Sequence, residues 1–325
     1  MTNAFRPVRI GVVGLGGFGT IHAQTIAGLG EAELVAVVAR RQESLDAFAK
    51  KVPGVTGYLD LKRAMLEGGV DGWIVACSTP QHVTVTRQLL EAGFPVLCEK
   101  PVGLTLDEAA TLKPLVRPDS SNLMVGHILL FNSEFRQLLD EVSLRGRPHY
   151  INALRYRAAS VMKNYTGESP FHQLMVHDLY CVQALVDRAE PTRVSAQVRR
   201  MATGQIDLTL AELQWDSGAI ASLAAGFITP DGMAREGVDR TEVFGEGWAA
   251  RLSPTPRPIE VWDAKAHWPM GLEIRADTSG PSGMMAEELR CFCRVVRGTQ
   301  PVPVGATYRD AMQVMSWIDR LEKAV

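Results

Sequence analysis

The apolar positions fall into two regimes along the chain. From Val8 to Gly126, short and nearly continuous apolar runs alternate with stretches in which apolar residues recur every three or four positions. The runs are Val8–Gly14, Glu33–Ala39, Gly72–Ala76, Pro95–Cys98 and Leu123–Gly126. The helical stretches are Phe18–Leu29, Ser44–Val52, a segment N-capped by Asp60 and ending at Glu67, Gln81–Ala92, and one opened by the T-x-x-E box of Thr105 and Glu108. Strands apolar on both faces need cover on both faces, which predicts a parallel sheet between two layers of helices. Right-handed crossovers make that domain doubly wound, and we place it at residues 1–124.

The pattern then changes. Ser133–Leu144 and Pro170–Val186 read as helices. Tyr150–Arg157 alternates apolar and polar residues. Strand-like runs follow at Arg193–Arg199, Asp207–Trp215 and Ala219–Phe227, the last two joined by the tight turn Asp216-Ser217-Gly218. Shorter strands are expected at Thr241–Phe244, Ala249–Leu252 and Ile259–Trp262, with loops at Thr229–Gly237 and Ser253–Pro258. Met284–Val296 and Tyr308–Lys323 are closing helices that could pack back on the first domain. Residues 125–325 therefore read as an α+β domain with an open, mostly antiparallel sheet.

Composition narrows the class. A length of 325 residues suggests roughly two domains. With 46% hydrophobic and 22% charged residues, 29 Gly and 18 Pro, the chain is neither a disordered tail nor collagen-like. The formal charge is −2, from 34 basic and 36 acidic residues without a block of one sign, which argues against nucleic acid or an anionic membrane as a partner. The Cys count is five. Cys291 and Cys293 form a C-x-C without a second Cys/His pair at ligand spacing, so reduced structural thiols and no metal are expected. The first residues lack a signal-peptide pattern, and no apolar run approaches ~18 residues; a cytoplasmic location follows as an expectation.

One loop carries chemistry. Gly14-Leu15-Gly16-Gly17-Phe18-Gly19 is a G-x-G-x-x-G that follows a strand and opens a helix. Gly14 permits the tight turn, Gly16 lets a pyrophosphate approach the backbone, and Gly19 lets helix and strand pack. The free N–H groups of the helix start attract the anion. This context turns a common motif into a dinucleotide site, the Rossmann arrangement. Where NAD readers carry a carboxylate at the end of the second strand, this chain has Arg40 and Arg41. Two guanidiniums suit a 2′-phosphate, so NADP(H) is expected over NAD(H).

Glu99-Lys100-Pro101, together with GLGGFGTIHA (Gly14–Ala23) and EAGFPVLCEKP (Glu91–Pro101), resembles the Gfo/Idh/MocA oxidoreductases, the family of glucose–fructose oxidoreductase and myo-inositol dehydrogenase. The resemblance runs from Val8 to the last helix. It implies a Rossmann domain for NAD(P), and an open-sheet domain that contacts substrate and supplies a homodimer or homotetramer interface. It carries Lys100 over as the active-site lysine, with Glu99 beside the cofactor and Lys100–Pro101 often cis. Ser78-Thr79-Pro80 and His82 resemble the loop by the pyrophosphate and nicotinamide ribose, with a short proline-to-histidine spacing. In the helix Pro170–Val186 the family pattern is Asp, three residues, then His. His177 matches the proton-accepting histidine, and Gln173 stands where the aspartate would. His172 adjoins them. Val125–Phe131 resembles a cleft-lining G-H-x-x-R-F, with His127 in place and Leu130 replacing the arginine. Arg155 and Arg157 share one face of their strand, with Tyr156 on the other.

The resulting expectation is reversible hydride transfer between NADP(H) and a secondary alcohol of a sugar or polyol. His177 acts as base and Lys100 orients the oxygen, while Gln173, His172, His127 and Arg155 hold substrate. Two alternatives remain open, and Gln173 suits both: an NAD-dependent glycoside hydrolase of the same superfamily, and a non-catalytic NADP sensor.

Overall fold

The computed structural model describes residues 6–164, 169–233, 237–262 and 266–325. The first five residues, and positions 234–236 of the expected Thr229–Gly237 loop, lie outside the described residues. In chain order the first elements are β1 (Val8–Val13), α1 (Gly17–Gly28), β2 (Ala32–Val38), α2 (Gln42–Ala49), β3 (Thr56–Tyr58), α3 (Leu61–Glu67), β4 (Gly72–Val75), α4 (His82–Glu91), β5 (Val96–Glu99), α5 (Leu106–Ala110) and β6 (Leu123–Gly126). They are followed by α6 (Ser133–Arg145), β7 (Tyr150–Ala158), α7 (Val176–Leu185), β8 (Arg193–Arg200), β9 (Ile206–Gln214), β10 (Ile220–Thr229), β11 (Val238–Gly245), β12 (Trp248–Thr255), α8 (Met284–Val296) and α9 (Tyr308–Glu322). The chain forms two compact units, Met1–Phe131 with Ile274–Met312, and Asn132–Glu273 with Gln313–Val325.

The first unit is built on a sheet of order β3-β2-β1-β4-β5-β6 with every pair parallel. Its core is the expected apolar runs: Ile10, Val12, Ile74, Val75, Val96 and Leu97 are fully buried. The strand order reverses between β1 and β4, and ligands of such sheets bind outside the carboxyl ends of the strands at that point. Asp60 caps α3 as expected, accepting from Arg63 N at 2.7 Å. Thr105 likewise accepts from Glu108 N, but the returning bond of Glu108 goes to Leu104 N rather than to the cap itself. β3 escapes sequence reading because it is three residues long with only Tyr58 buried.

The expected 124/125 boundary falls inside this unit. Helix α8 belongs to it as well: a Cβ on Gly72 of β4 would lie 2.7 Å from Val296 Cγ2. Met285, Leu289 and Phe292 form the buried face that makes this closing helix part of the first core.

The second unit is a sheet of order β12-β11-β7-β10-β9-β8. All neighbours are antiparallel except β7 and β10, which agrees with a mostly antiparallel reading. Ile151, Ala153, Leu213, Ala221, Leu223 and Val243 bury one face. The turn before β10 has Gly218 at φ 86, a conformation that only glycine adopts without strain. Two expectations need correction. β12 runs on to Thr255 and β10 to Thr229, so parts of both predicted loops are strand, because ladder hydrogen bonds override the Pro- and Gly-rich composition. The helix expected over Pro170–Val186 is not uniformly α: Phe171–Met175 is a π turn, and α7 begins only at Val176.

Candidate active site

The phosphate loop meets each stereochemical demand. Gly14 has φ 100, and a Cβ there would lie 2.5 Å from Ala76 O. A Cβ on Gly19 would lie 2.1 Å from Gly14 O, so only glycine lets α1 sit this close to the turn. A Cβ on Gly16 would meet nothing within 4 Å among the described residues, so that side of the loop is open. Gly16 caps α1 without a side-chain bond, and no acidic residue stands in the first turn. Gly16, Gly17 and Phe18 are all exposed. A helix start with its first N–H groups uncapped by side chains, an open flank and no acidic residue in its first turn fits a dinucleotide pyrophosphate.

At the end of β2, Ala39 is buried while Arg40 and Arg41 are exposed. Beside them lies a cavity of about 380 Å³, lined by Leu15 of the glycine loop, Thr20 of α1, and Arg41, Glu43, Ser44 and Lys51, among others. Arg40 also acts on the switch point. Burial pushes the Cys77 thiol at the end of β4 up to about 11, and the Arg40 charge pulls against that rise.

The loop after β4 divides its expected roles. Ser78 and Thr79 lead into a 3₁₀ turn at the carboxyl end of the sheet, with both side chains at least partly open to solvent. His82 does something else. It is 2% exposed, its Nδ1 lies 2.7 Å from Pro101 O, and its Nε2 lies 3.1 Å from Cys77 O. Both ring nitrogens face backbone carbonyls, so His82 braces the β4 loop against the Lys100–Pro101 segment instead of reaching toward a cofactor.

Glu99 ends β5 and is 7% exposed. Its carboxylate turns inward, 2.7 Å from His22 Nε2, and accepts Lys100 N–H at 3.2 Å, so its side chain is engaged within the unit. Burial pushes Glu99 up, but the His22 bond and the charges of His22 and Lys100 prevail and hold it below the usual carboxylate range. Lys100 is half-buried, and the Lys100–Pro101 peptide is cis. Its charge stabilises ionised Glu99 and opposes protonation of His127, which places the ammonium near both. His127 follows β6, is 2% exposed, and bonds Gly305 O through Nδ1 at 2.6 Å. Burial pulls its imidazolium down to about 4, so the ring is neutral at pH 7.

In the second unit the π turn carries Gln173, which is buried, and α7 carries the half-buried His177. A π turn closes i→i+5 bonds and takes more residues per turn than an α turn, so Gln173 and His177, four positions apart, are not stacked across it as they would be on a regular α-helix. His177 Nδ1 lies 2.9 Å from Tyr180 Oη. His172 pairs with Glu322 at 3.2 Å. Arg155 is buried and fully engaged. Nε and Nη2 donate to both oxygens of Asp178 at 3.1 and 2.9 Å, and Nη1 donates to Asp239 at 2.6 Å. Arg157 joins it on Asp239, in keeping with the shared face. Arg155 is thus a core ion pair that ties α7 to β7, not an open substrate contact. The sequence could not show this because Asp239 lies 84 positions away.

Sequence reading missed Glu288. A signal for it exists: Met285, Glu288, Phe292 and Val295 form one i,i+3/i+4 stripe on α8, and a carboxylate in an apolar stripe is anomalous.

Comparison with known proteins agrees with this geometry. The profile of the Gfo/Idh/MocA oxidoreductase family, NAD-binding Rossmann fold, matches residues 8–127, and that of the Gfo/Idh/MocA C-terminal domain matches residues 124–250. The chain belongs to this family of oxidoreductases. It is 27% identical to the rhizopine catabolism protein MocA of Rhizobium meliloti, over 95% of this chain and 92% of that one. It is 27% identical to myo-inositol 2-dehydrogenase of Thermotoga maritima, over 73% of each. The fold is shared with scyllo-inositol dehydrogenase of Lactobacillus casei, solved with NAD(H) and scyllo-inositol, at TM-score 0.82 and 21% identity over 98% of this chain and 97% of that one. Among the described residues, no helix is long and apolar enough to cross a membrane.

Proposed function

We propose that the protein is a dehydrogenase that transfers hydride reversibly between NADP(H) and a secondary alcohol of a sugar, polyol or related compound. The observation that carries this reading is the end of β5: a lysine at the carboxyl edge of a parallel sheet, the same edge that carries a glycine loop shaped for a pyrophosphate. The nicotinamide, when bound, supplies the hydride acceptor. Arg40 and Arg41 hold the adenosine 2′-phosphate, and Ser78 and Thr79 line the route of the pyrophosphate. Lys100 donates to the substrate oxygen and stabilises its developing negative charge. His177 takes the hydroxyl proton. The tautomer that permits this has Nδ1–H donating to Tyr180 Oη, which leaves the basic lone pair on Nε2. Gln173 holds a neighbouring hydroxyl, to which an amide can both donate and accept.

The named substrates of relatives support the alcohol class: two are inositol dehydrogenases, and a third is UDP-N-acetylglucosamine 3-dehydrogenase of Acidithiobacillus ferrooxidans, 25% identical over 91% of this chain. The outer sheet face carries Tyr150 stacked on Phe244 at 5.9 Å, with Ile220 and Leu210 on the same face, all partly exposed. We read this apolar strip as a homo-oligomer contact.

The test is a panel of inositols, sugars, glycosides and nucleotide sugars, each with NADP+ and NAD+, followed by nicotinamide absorbance and by release of aglycone. Turnover with an alcohol, at a lower KM for NADP+, is expected. Release of an aglycone without net cofactor reduction, or no turnover of any alcohol, would reject the assignment.

A further inference from the structure

Inside the first unit three ionisable side chains meet behind Lys100. His22 comes from α1, Glu99 from the end of β5, and Glu288 from the middle of α8, with exposures of 0%, 7% and 0%. One ligating atom from each lies within 4.8 Å of the others. The three are not equally provided for. Glu99 accepts from His22 Nε2 and from Lys100 N. Its slot is cut by Gly126 on β6, where a Cβ would sit 3.3 Å from the Glu99 carboxylate. Neither oxygen of Glu288 has a hydrogen-bond partner among the described residues, and neither does His22 Nδ1.

An ionised carboxylate at the site of Glu288 would be buried, without a donor, and close to a second carboxylate. Either condition alone disfavours the charge strongly. Glu99 already has the donors. The proton therefore belongs on Glu288 and the charge on Glu99. A divalent cation fits the distances less well. The 2.7 Å gap between His22 and Glu99 is that of an N–H···O bond, and an ion would have to displace this proton to coordinate both.

We propose that His22, Glu99 and Glu288 form a buried proton-holding triad in which Glu288 is kept as the neutral acid, and that His22 acts through Glu99 to position Lys100. Burial and the Glu99 charge both push Glu288 well above the usual carboxylate range, in the direction the geometry requires. The charged or titratable groups that act on Glu99 are His22 on α1, His82 on α4, Lys100 next in the chain, Cys98 on β5, His127 after β6 and Glu288 on α8. His22 is thus a positioning residue for Lys100, and this part of the inference rests on Lys100 being catalytic.

Two measurements test it. Infrared spectroscopy of the full chain at pH 7 reads the proton without any turnover. A carboxylic-acid C=O stretch is expected in the unmodified protein and should vanish in Glu288→Gln, or in Glu288→Met if the first variant does not fold. Absence of the band overturns the triad. So does one equivalent of a divalent metal in the purified protein that Glu288→Gln no longer retains. The second measurement is the pH profile of kcat. His22→Leu leaves Glu99 with only the Lys100 backbone N–H as donor, so Glu99 takes a proton and Lys100 loses a stabilising charge. A fall in kcat of about tenfold or more is expected, with the Lys100 limb displaced to lower pH. His22→Gln, whose amide can donate to Glu99, should restore most of both. If His22→Leu does not fold, Glu99→Gln gives the same readout. Equal losses in the Leu and Gln variants, or a change confined to KM, would overturn the positioning role. A Lys100→Ala variant with full turnover would sink the function assigned to Lys100 while leaving the infrared band in place, so the two failures are distinguishable.

Discussion

The glycine loop of the first unit and the histidine segment of the second make opposite demands on the sequence. In the loop the demand is stereochemical: Gly14 needs its positive φ, and Gly19 has no room for a Cβ. Such needs are met by one residue type at fixed spacing, and the backbone itself is the ligand. From Phe171 to Leu185 the demand falls on side chains. What Arg155, His172 and His177 can do depends on Asp178, Asp239, Glu322 and Tyr180, and two of those four are far away in the sequence. A motif built of backbone announces its own function; a motif built of side chains does so only once its partners are known.

The largest effect should come from removing the lysine at the end of β5. Lys100→Ala should lower turnover by roughly two to four orders of magnitude, the scale of a positioned acid–base or electrostatic group, and leave cofactor affinity within severalfold. His177→Ala should match it in kcat. Steady-state kinetics with one good substrate decides, and undiminished turnover in either variant removes that residue from the mechanism.

The same contrast explains what was legible. The parallel, doubly wound sheet followed from apolar runs and crossover handedness, and the caps at Asp60 and Thr105 followed from local patterns. The hairpin at Gly218 was equally local. What escaped depended on remote partners. His82 looked like a cofactor contact until Pro101 O and Cys77 O took both its nitrogens. The resemblance puts Glu99 beside the cofactor but could not show that α1 supplies His22 to its carboxylate. The π turn over Phe171–Met175 has no sequence signature that separates it from an α turn, because the composition and apolar spacing suit both.

The next largest effect sharpens the second unit's side. Arg155→Leu leaves Asp178 buried without its bidentate donor, and breaking a buried pair from one side costs about 3–5 kcal/mol. Urea unfolding should show an unfolding free energy lower by about that amount, read as a lower midpoint at unchanged slope. A variant as stable as the parent would mean that the cluster with Asp239 does not hold α7 to the sheet. On the first unit's side, Arg40→Ala with Arg41→Ala should weaken NADP(H) by about tenfold to a hundredfold, the worth of one or two charge-assisted bonds, and leave NAD(H) nearly unchanged. Isothermal titration with both cofactors checks this, and an equal loss for the two would show that the arginines do not read the 2′-phosphate.

The last test asks whether a side chain of the first unit obeys the same rule as those of the second. His127 is held by Gly305 O at 2.6 Å, and burial brings its pKa from 6.5 down to about 4. Between those values the native ring stays neutral while the unfolded chain binds a proton. The unfolded state thus carries more protons, and stability falls as pH drops through 6.5 toward about 4. The slope from this one group approaches about 1.4 kcal/mol per pH unit. His127→Gln keeps an N–H for the Gly305 carbonyl but cannot titrate. Every other group is common to the two proteins, so the difference between their unfolding free energies isolates His127. That difference should be constant above about pH 7 and should shift in favour of the glutamine variant as the pH falls from 6.5 toward about 4. Parallel curves across that window would mean that His127 is protonated as easily in the native protein as in the unfolded chain, and that the Gly305 contact does not keep it dry.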